Sequence, residues 1–177
     1  MRTIKLLFFL VLASVCSVLA AQQYTYQYDD DDADAENTST SPVVEIQTVE
    51  DFSALGRLAR AENKVIFLEV SASYCGWCRT LEEHIIRPMI ISGDYDEYVL
   101  FRKINIDSSY PMKGFDGRAT SPAKFAFRFD ASLTPTLLFL GPDGQELSER
   151  IVGVNTLELY GEYVDIALAK GHAQLVN

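Results

Sequence analysis

Val65-Ile66-Phe67-Leu68-Glu69-Val70-Ser71-Ala72-Ser73-Tyr74-Cys75-Gly76-Trp77-Cys78 is the stretch on which the fold turns. Six residues, apolar but for Glu69, suit a central strand covered on both faces. Four small or polar residues follow, then two thiols two residues apart, then a segment in which Trp77, Leu81, Ile85 and Met89 recur at intervals of four. Arg79, Glu82, Glu83 and Arg87 fall on its other faces, and Pro88 is expected to kink or end it. Strand, loop, dithiol, helix is the order that reversible disulfide chemistry needs. A thiolate at a helix N-terminus meets unpaired N–H groups and the positive end of the helix dipole. Such cysteines ionise at roughly 3.5 to 7.5, against about 8.5 for a free thiol. On this reading Cys75 is the exposed, easily ionised nucleophile, and Cys78, one turn further in, resolves the mixed disulfide.

Outward from this core, Val43–Ile46 is expected as a short strand, and Thr48 as the N-cap of a first helix with Asp51 three residues on. Phe52, Leu55, Leu58 and Ala59 are its apolar positions. Tyr98–Ile106 reads as a second inner strand. The Gly- and Ser-rich stretch 108–121 carries no clear periodicity, and Pro122–Phe129 is a candidate helix. Leu137–Leu140 is a strand, Gly141-Pro142-Asp143-Gly144 a tight turn, and Glu146–Val152 the antiparallel partner. A last helix is expected with Asn155 as cap, Glu158 at the third position, and Leu159, Tyr163, Ile166 and Ala167 on the buried face. The order βαβαββα, with parallel inner strands and a C-terminal hairpin, is an α/β sandwich.

The first twenty residues read as an export signal: Arg2 and Lys5, an apolar run from Leu6 to Leu19, and a small-residue cleavage site near Ala20. The run is short for a membrane-spanning helix, and Val15 before Cys16 does not suit lipidation. Residues 21–42 combine Tyr24, Tyr26 and Tyr28 with a run of aspartates and then Asn, Ser and Thr, the composition of a disordered tether. The aspartates lack the glycine and the bidentate glutamate that a calcium loop requires. Residues 43–177 are then the folded domain. Loss of residues 1–20 removes two of the fifteen basic residues and none of the 25 acidic ones, so the net charge moves from −10 to −12. Nucleic acid and anionic lipid are thereby disfavoured as partners. Cleavage also removes Cys16, leaving Cys75 and Cys78 as the remaining thiols. A single close pair in an exported chain points to chemistry rather than to reinforcement.

The chain resembles the thioredoxin superfamily, nearest its exported, single-domain thioredoxin-like proteins, over about Val43 to Lys170. The resemblance rests on Tyr74-Cys75-Gly76-Trp77-Cys78 behind a buried strand, Leu133-Thr134-Pro135-Thr136 before the next strand pair, and the Gly141–Gly144 turn. It implies a three-layer α/β sandwich, with a central mixed sheet and flanking helices. It also implies a cis Pro135 against the dithiol, with the Thr134 backbone pairing with an extended substrate and Trp77 beside it. Glu69 matches the family's buried acid, the proton acceptor for the resolving cysteine, and Lys103 the lysine that neighbours that acid. Independently of the resemblance, an acid within so apolar a run is costly unless paired or protonated. Gly76-Trp77 replaces the family's usual Gly-Pro, so a reduction potential does not carry over. The stretch from Asp107 to Thr134 is longer than in a minimal thioredoxin, and Phe115, Phe125 and Phe127 on it line either a substrate loop or the core, with the core favoured.

The leading expectation is a periplasmic or secreted thiol–disulfide oxidoreductase with no cofactor beyond its own dithiol, reducing disulfides of exported proteins. A transmembrane thiol carrier would supply the electrons. An oxidant or isomerase of the same fold is the alternative within the class. Outside it stand copper or zinc binding and a non-catalytic module with an inert disulfide. A closed zinc site wants four ligands, and only His84 and His172 accompany the two cysteines, so no metal site is assigned.

Overall fold

The computed structural model of the protein describes residues 44–177. The export signal, the tether and Val43 lie outside the described residues. In chain order the elements are helix α1 (Phe52–Glu62), strand β1 (Val65–Ser71), helix α2 (Gly76–Leu81), a π-helical turn (Glu82–Ile86), helix α3 (Arg87–Ser92) and strand β2 (Val99–Asn105). There follow a small hairpin of β3 (Met112–Lys113) and β4 (Ala119–Thr120), helix α4 (Pro122–Arg128), strands β5 (Thr136–Leu140) and β6 (Ile151–Val152), and helix α5 (Leu157–Val176). The main sheet has the order β2-β1-β5-β6, with β1 parallel to β2 and the other pairs antiparallel.

All seven residues of β1 are buried, because helices cover both of its faces. Alternation sends Val65 and Phe67 to one face, where Leu81, Ile86, Met89, Tyr160, Val164 and Leu168 meet them. Ile66, Leu68 and Val70 go to the other, against Phe52, Leu55, Ala59 and Phe125. Phe52 and Phe125 stack with ring centroids 4.0 Å apart, which fastens α1 to α4 across that face.

The expected strand at Val43–Ile46 is displaced. Residues 44–46 form no strand, and the chain instead docks on β2 through Gln47–Val49: Lys103 N–H donates to the Gln47 carbonyl at 2.9 Å, and Val49 N–H to the Lys103 carbonyl at 3.0 Å. Thr48, committed to this edge, does not cap α1. Asp51 does so, accepting the Ala54 amide at 2.9 Å, and the Ser53 hydroxyl and that amide hold its carboxyl well below the usual range. Leu58, expected on the buried face of α1, is partly exposed, while Gly56 is buried. A Cβ at Gly56 would lie 2.2 Å from the Pro142 carbonyl oxygen, so α1 packs against the Gly141–Gly144 turn with no room for a side chain.

Pro88 neither ends nor replaces the helix after the dithiol. The π turn inserts one residue before it, Arg87 N–H reaches back to the Glu82 carbonyl, and Pro88 falls at the start of α3, where a missing N–H costs nothing. That insertion rotates the buried stripe beyond Leu81: Ile86 is fully buried and Ile85 only partly; Trp77, ahead of the turn at the start of α2, stands out in solvent. The strand expected over Glu146–Val152 is broken. Leu140 pairs with Glu146 and Leu137 with Ile151, so two extra residues bulge out between them. In α5 the N-cap is Thr156 rather than Asn155, placing Glu158 second in the helix. Its buried face carries Tyr160, Val164, Ala167, Leu168 and Gly171, and Leu159, Tyr163 and Ile166 are exposed, contrary to the pattern expected for them. α5 is apolar around more than one face, so two stripes compete; the Tyr160 hydroxyl, donating to the Gly153 carbonyl at 3.1 Å, is satisfied on the inner one.

Candidate active site

The dithiol loop is fixed at both ends before any chemistry is considered. Ile106 N–H donates to the Ser71 carbonyl at 2.9 Å, and Cys75 N–H closes a turn on the Ala72 carbonyl at 3.0 Å. Between them, the Asp107 carboxylate accepts the Ser73 amide at 3.0 Å and the Ser73 hydroxyl. Those two bonds pull the Asp107 carboxyl below its ordinary range. Arg79, one turn into the helix, donates to the Ser73 carbonyl at 3.3 Å. The loop therefore delivers Cys75 to the N-cap of α2 in extended conformation, with its sulfur accepting the Cys78 amide at 3.1 Å.

Cys75 and Cys78 are joined by a disulfide with Cα atoms 5.3 Å apart. Access to the two sulfurs is unequal. Cys75 is 8% exposed and Cys78 1%, so the exposure expected of the nucleophile is a narrow window rather than an open face. Tyr74 and Trp77 (58% exposed), beside the cysteines in the chain, and Leu133, which precedes Thr134, are large side chains open to solvent. Thr134 is half-buried and Pro135 buried, the peptide between them is cis, and the Pro135 carbonyl accepts Gly153 N–H at 2.8 Å. The three phenylalanines of the long connection divide: Phe125 is core, Phe115 packs against Phe52 at the core's margin, and Phe127 is 77% exposed. Phe127, Tyr74, Ile106 and Asp107 line a cleft of about 340 Å³ beside the dithiol.

Beneath α2 lies a group of charges. Glu69 is fully buried, and neither of its carboxyl oxygens has a hydrogen-bond partner. Burial pushes its carboxyl up to about 8, the neighbouring Glu82 adding to the rise and Lys103 opposing it. Lys103 stands directly across from Glu69 in the β1–β2 register, but its ammonium grips Glu82, at 3.0 and 3.2 Å from the two carboxylate oxygens. Arg87 approaches the same carboxylate at 3.6 Å. The lysine expected to partner Glu69 thus shares its charge with an acid that helical periodicity places on an outer face. Glu82 is 7% exposed. It lies one turn past Cys78, and that spacing is the one signal in the sequence that could have found it. Asp107, at the end of the Lys-Ile-Asn-Ile-Asp stretch, was equally unremarkable as a residue and is recognisable only from its bonds to Ser73.

Residues 54–165 match the family model of the thioredoxin-like domain. The chain belongs to that family. Among solved structures, this thioredoxin-like domain is similar to a thioredoxin of Malassezia sympodialis at 17% identity, with a TM-score of 0.50 over 73% of this chain and 96% of that one. A poplar thioredoxin h matches at 22% identity and a TM-score of 0.46, over 67% of this chain and 96% of that one. Mitochondrial thioredoxin 3 of Saccharomyces cerevisiae, in its oxidised form, matches at 19% and 0.48, over 70% and 93%. Comparison with curated proteins finds no match. A thioredoxin-like domain whose cysteines stand at CxxC spacing, joined in a disulfide at the head of a helix, is a thiol–disulfide oxidoreductase. Among the described residues no group of three or more His, Cys, Asp or Glu side chains gathers as a metal site would require, and no helix is long and apolar enough to cross a membrane.

Proposed function

We propose that this thioredoxin-like domain is an exported reductase of protein disulfides. The observation that carries the direction is the environment of Cys75: its sulfur accepts one backbone amide, from Cys78, and Gly76-Trp77 puts no histidine or lysine between the cysteines. Strong oxidants of this chemistry owe their potential to a stabilised reduced form. A thiolate supported by the helix N-terminus and one amide, with no cationic residue between the cysteines, is stabilised less than that of a strong oxidant and gives its electrons away more readily. Export is supported by the n-region, apolar run and cleavage site of residues 1–20.

In the reduced protein the Cys75 thiolate attacks one sulfur of a substrate disulfide, forming a mixed disulfide and releasing the first substrate thiolate, which takes a proton from water. Cys78 then passes its thiol proton to the Glu69 carboxylate, attacks the Cys75 sulfur and expels the second substrate thiolate. The substrate gains two electrons and the protein is left as the Cys75–Cys78 disulfide. A thiol carrier spanning the membrane restores the dithiol with two electrons. Trp77 and the Thr134–Pro135 segment hold the substrate chain, Thr134 by its backbone and Trp77 by its exposed ring. Lys103 tempers the charge on Glu69. A Glu69 carboxyl held near the range of a thiol is matched to the proton it receives.

Replacing Cys78 by Ala tests the assignment. Incubated with an extract of the exporting compartment, the variant should accumulate mixed disulfides on Cys75 that a reductant releases. A variant that traps nothing, while Cys75→Ala does, would reverse the roles of the two cysteines.

A further inference from the structure

Glu82 is the charged group beneath the dithiol to which the reaction above gives no part. It is nearly buried and hydrogen bonded through both carboxylate oxygens to Lys103, with Arg87 behind it. Two cations thus converge on one carboxylate. Lys103 is thereby occupied: it faces Glu69 across the β1–β2 ladder yet forms no hydrogen bond with it, and both Glu69 oxygens stay unpartnered. We propose that Glu82 is a positioning residue for the redox reaction: it holds the Lys103 ammonium away from Glu69 and so leaves the Glu69 carboxyl unpaired and able to take and return the Cys78 proton.

Leu81 and Phe67 belong to one core cluster; Cys78 stands one turn before Leu81 in α2 and Glu69 two residues past Phe67 on the same face of β1, so the run of the two elements brings Glu69 toward Cys78. The charged and titratable groups facing Glu69 are Glu82 from the π turn, Lys103 from β2, Arg87 from α3 by way of Glu82, and Tyr160 from α5; Ser71 adds a hydroxyl on the same strand. Removing the Glu82 charge acts twice in one direction. It takes away a repelling negative charge and frees a positive one to pair with Glu69. Both effects favour the ionised form, and an opposite charge within hydrogen-bonding range lowers a carboxyl by about one to three pKa units. Glu69 would then be ionised over more of the neutral range and be a weaker base, less well matched to a thiol proton.

This inference rests on Glu69 as the proton relay proposed above, and its test separates the two. In the disulfide form no thiol titrates, and the carbonyl stretch of a protonated buried carboxylic acid, identified as Glu69 by its loss in Glu69→Gln, can be followed against pH by infrared spectroscopy. We expect the midpoint of that band to fall by about one to three pH units in Glu82→Gln. It should recover toward the wild-type value, without exceeding it, in Glu82→Gln/Lys103→Met, where burial alone acts on Glu69. An unmoved midpoint in Glu82→Gln, or equal midpoints in the single and double variants, overturns the proposal. If Glu82→Gln does not fold, Lys103→Met and the double variant decide: the midpoint must be higher in Lys103→Met, where Glu82 still repels, and equality overturns the proposal. A band that shifts as expected in a protein whose disulfide exchange is indifferent to Glu69→Gln would leave Glu82's hold on Glu69 intact and refute the relay alone.

Discussion

Replacing Glu69 by Gln should remove most of the pH dependence of folding stability between pH 5 and 9. The Glu69 carboxyl is fully buried in β1, without a hydrogen-bond partner, and is pushed from an ordinary value of 4.5 up to about 8 by burial first and by Glu82 second. The folded protein therefore keeps a proton that the unfolded chain releases above 4.5, and stability must fall as pH rises until the folded protein releases it as well. At about 1.4 kcal/mol for each unit, the displacement from 4.5 to about 8 sets a loss of about 5 kcal/mol as the ceiling for this one group. That is comparable with the whole stability of many domains, roughly 5–15 kcal/mol. The amide of Gln cannot titrate, so the difference between wild type and Glu69→Gln isolates the carboxyl from every other group. Urea unfolding of both proteins in the disulfide form, at intervals of one pH unit, measures it. Near pH 5 the two should differ little, and by pH 9 wild type should have lost several kcal/mol relative to the variant. Parallel curves across this range would refute the reasoning, because they would mean that Glu69 is ionised at neutral pH and satisfied by a partner such as Lys103.

Three further outcomes follow from the packing and the loop. Gly56→Ala places a methyl group against the Pro142 carbonyl, so α1 and the Gly141–Gly144 turn must separate; a loss of about 1–3 kcal/mol is expected in urea unfolding, and an unchanged midpoint would contradict the close approach. Trp77→Ala should raise KM severalfold for a protein disulfide and leave kcat and the turnover of a small aliphatic disulfide unchanged, since its exposed ring meets only the larger substrate. Asp107→Ala deprives the Ser73 amide and hydroxyl of their acceptor, and hydrogen exchange at Ser73 should accelerate while exchange in β1 does not; equal protection in variant and wild type would show that the loop is held by other means.

How far the sequence could be read depended on what each signal was made of. The central strand was legible because seven buried residues in a row leave no alternation to misread, and Glu69 was conspicuous because nothing else in that run is charged. The dithiol, the turn at Gly141–Gly144 and the helix at Pro122 are local features set by residue type, and they stand where the pattern puts them. Faces of helices were harder. The π turn adds a residue between Leu81 and Met89, which no periodicity of 3.6 reveals, and so Ile86 replaces Ile85 inside. In α5, apolar stripes lie side by side, and the choice is made by long-range contacts of Tyr160 and Leu168 with the sheet. Caps failed where a residue had a second use: Thr48 is taken by the edge of β2, which leaves Asp51 to cap. Glu82 was hidden for a chemical reason. One acid among Arg79, Glu83 and Arg87 reads as a solvated helix face, and only the three-dimensional meeting of β1, β2 and the π turn turns it inward onto Lys103. Asp107 was hidden because its partner, Ser73, lies thirty-four residues away.

The reduction potential of the Cys75–Cys78 pair tests the central claim most directly. Equilibrated with glutathione or dithiothreitol mixtures and quenched by alkylation, the protein should interconvert between two mass states with a potential more negative than about −200 mV, on the reducing side of an oxidising compartment. A value near −120 mV, the range of strong disulfide donors, would contradict reduction as the function, and a pair that never exchanges would contradict a redox site altogether.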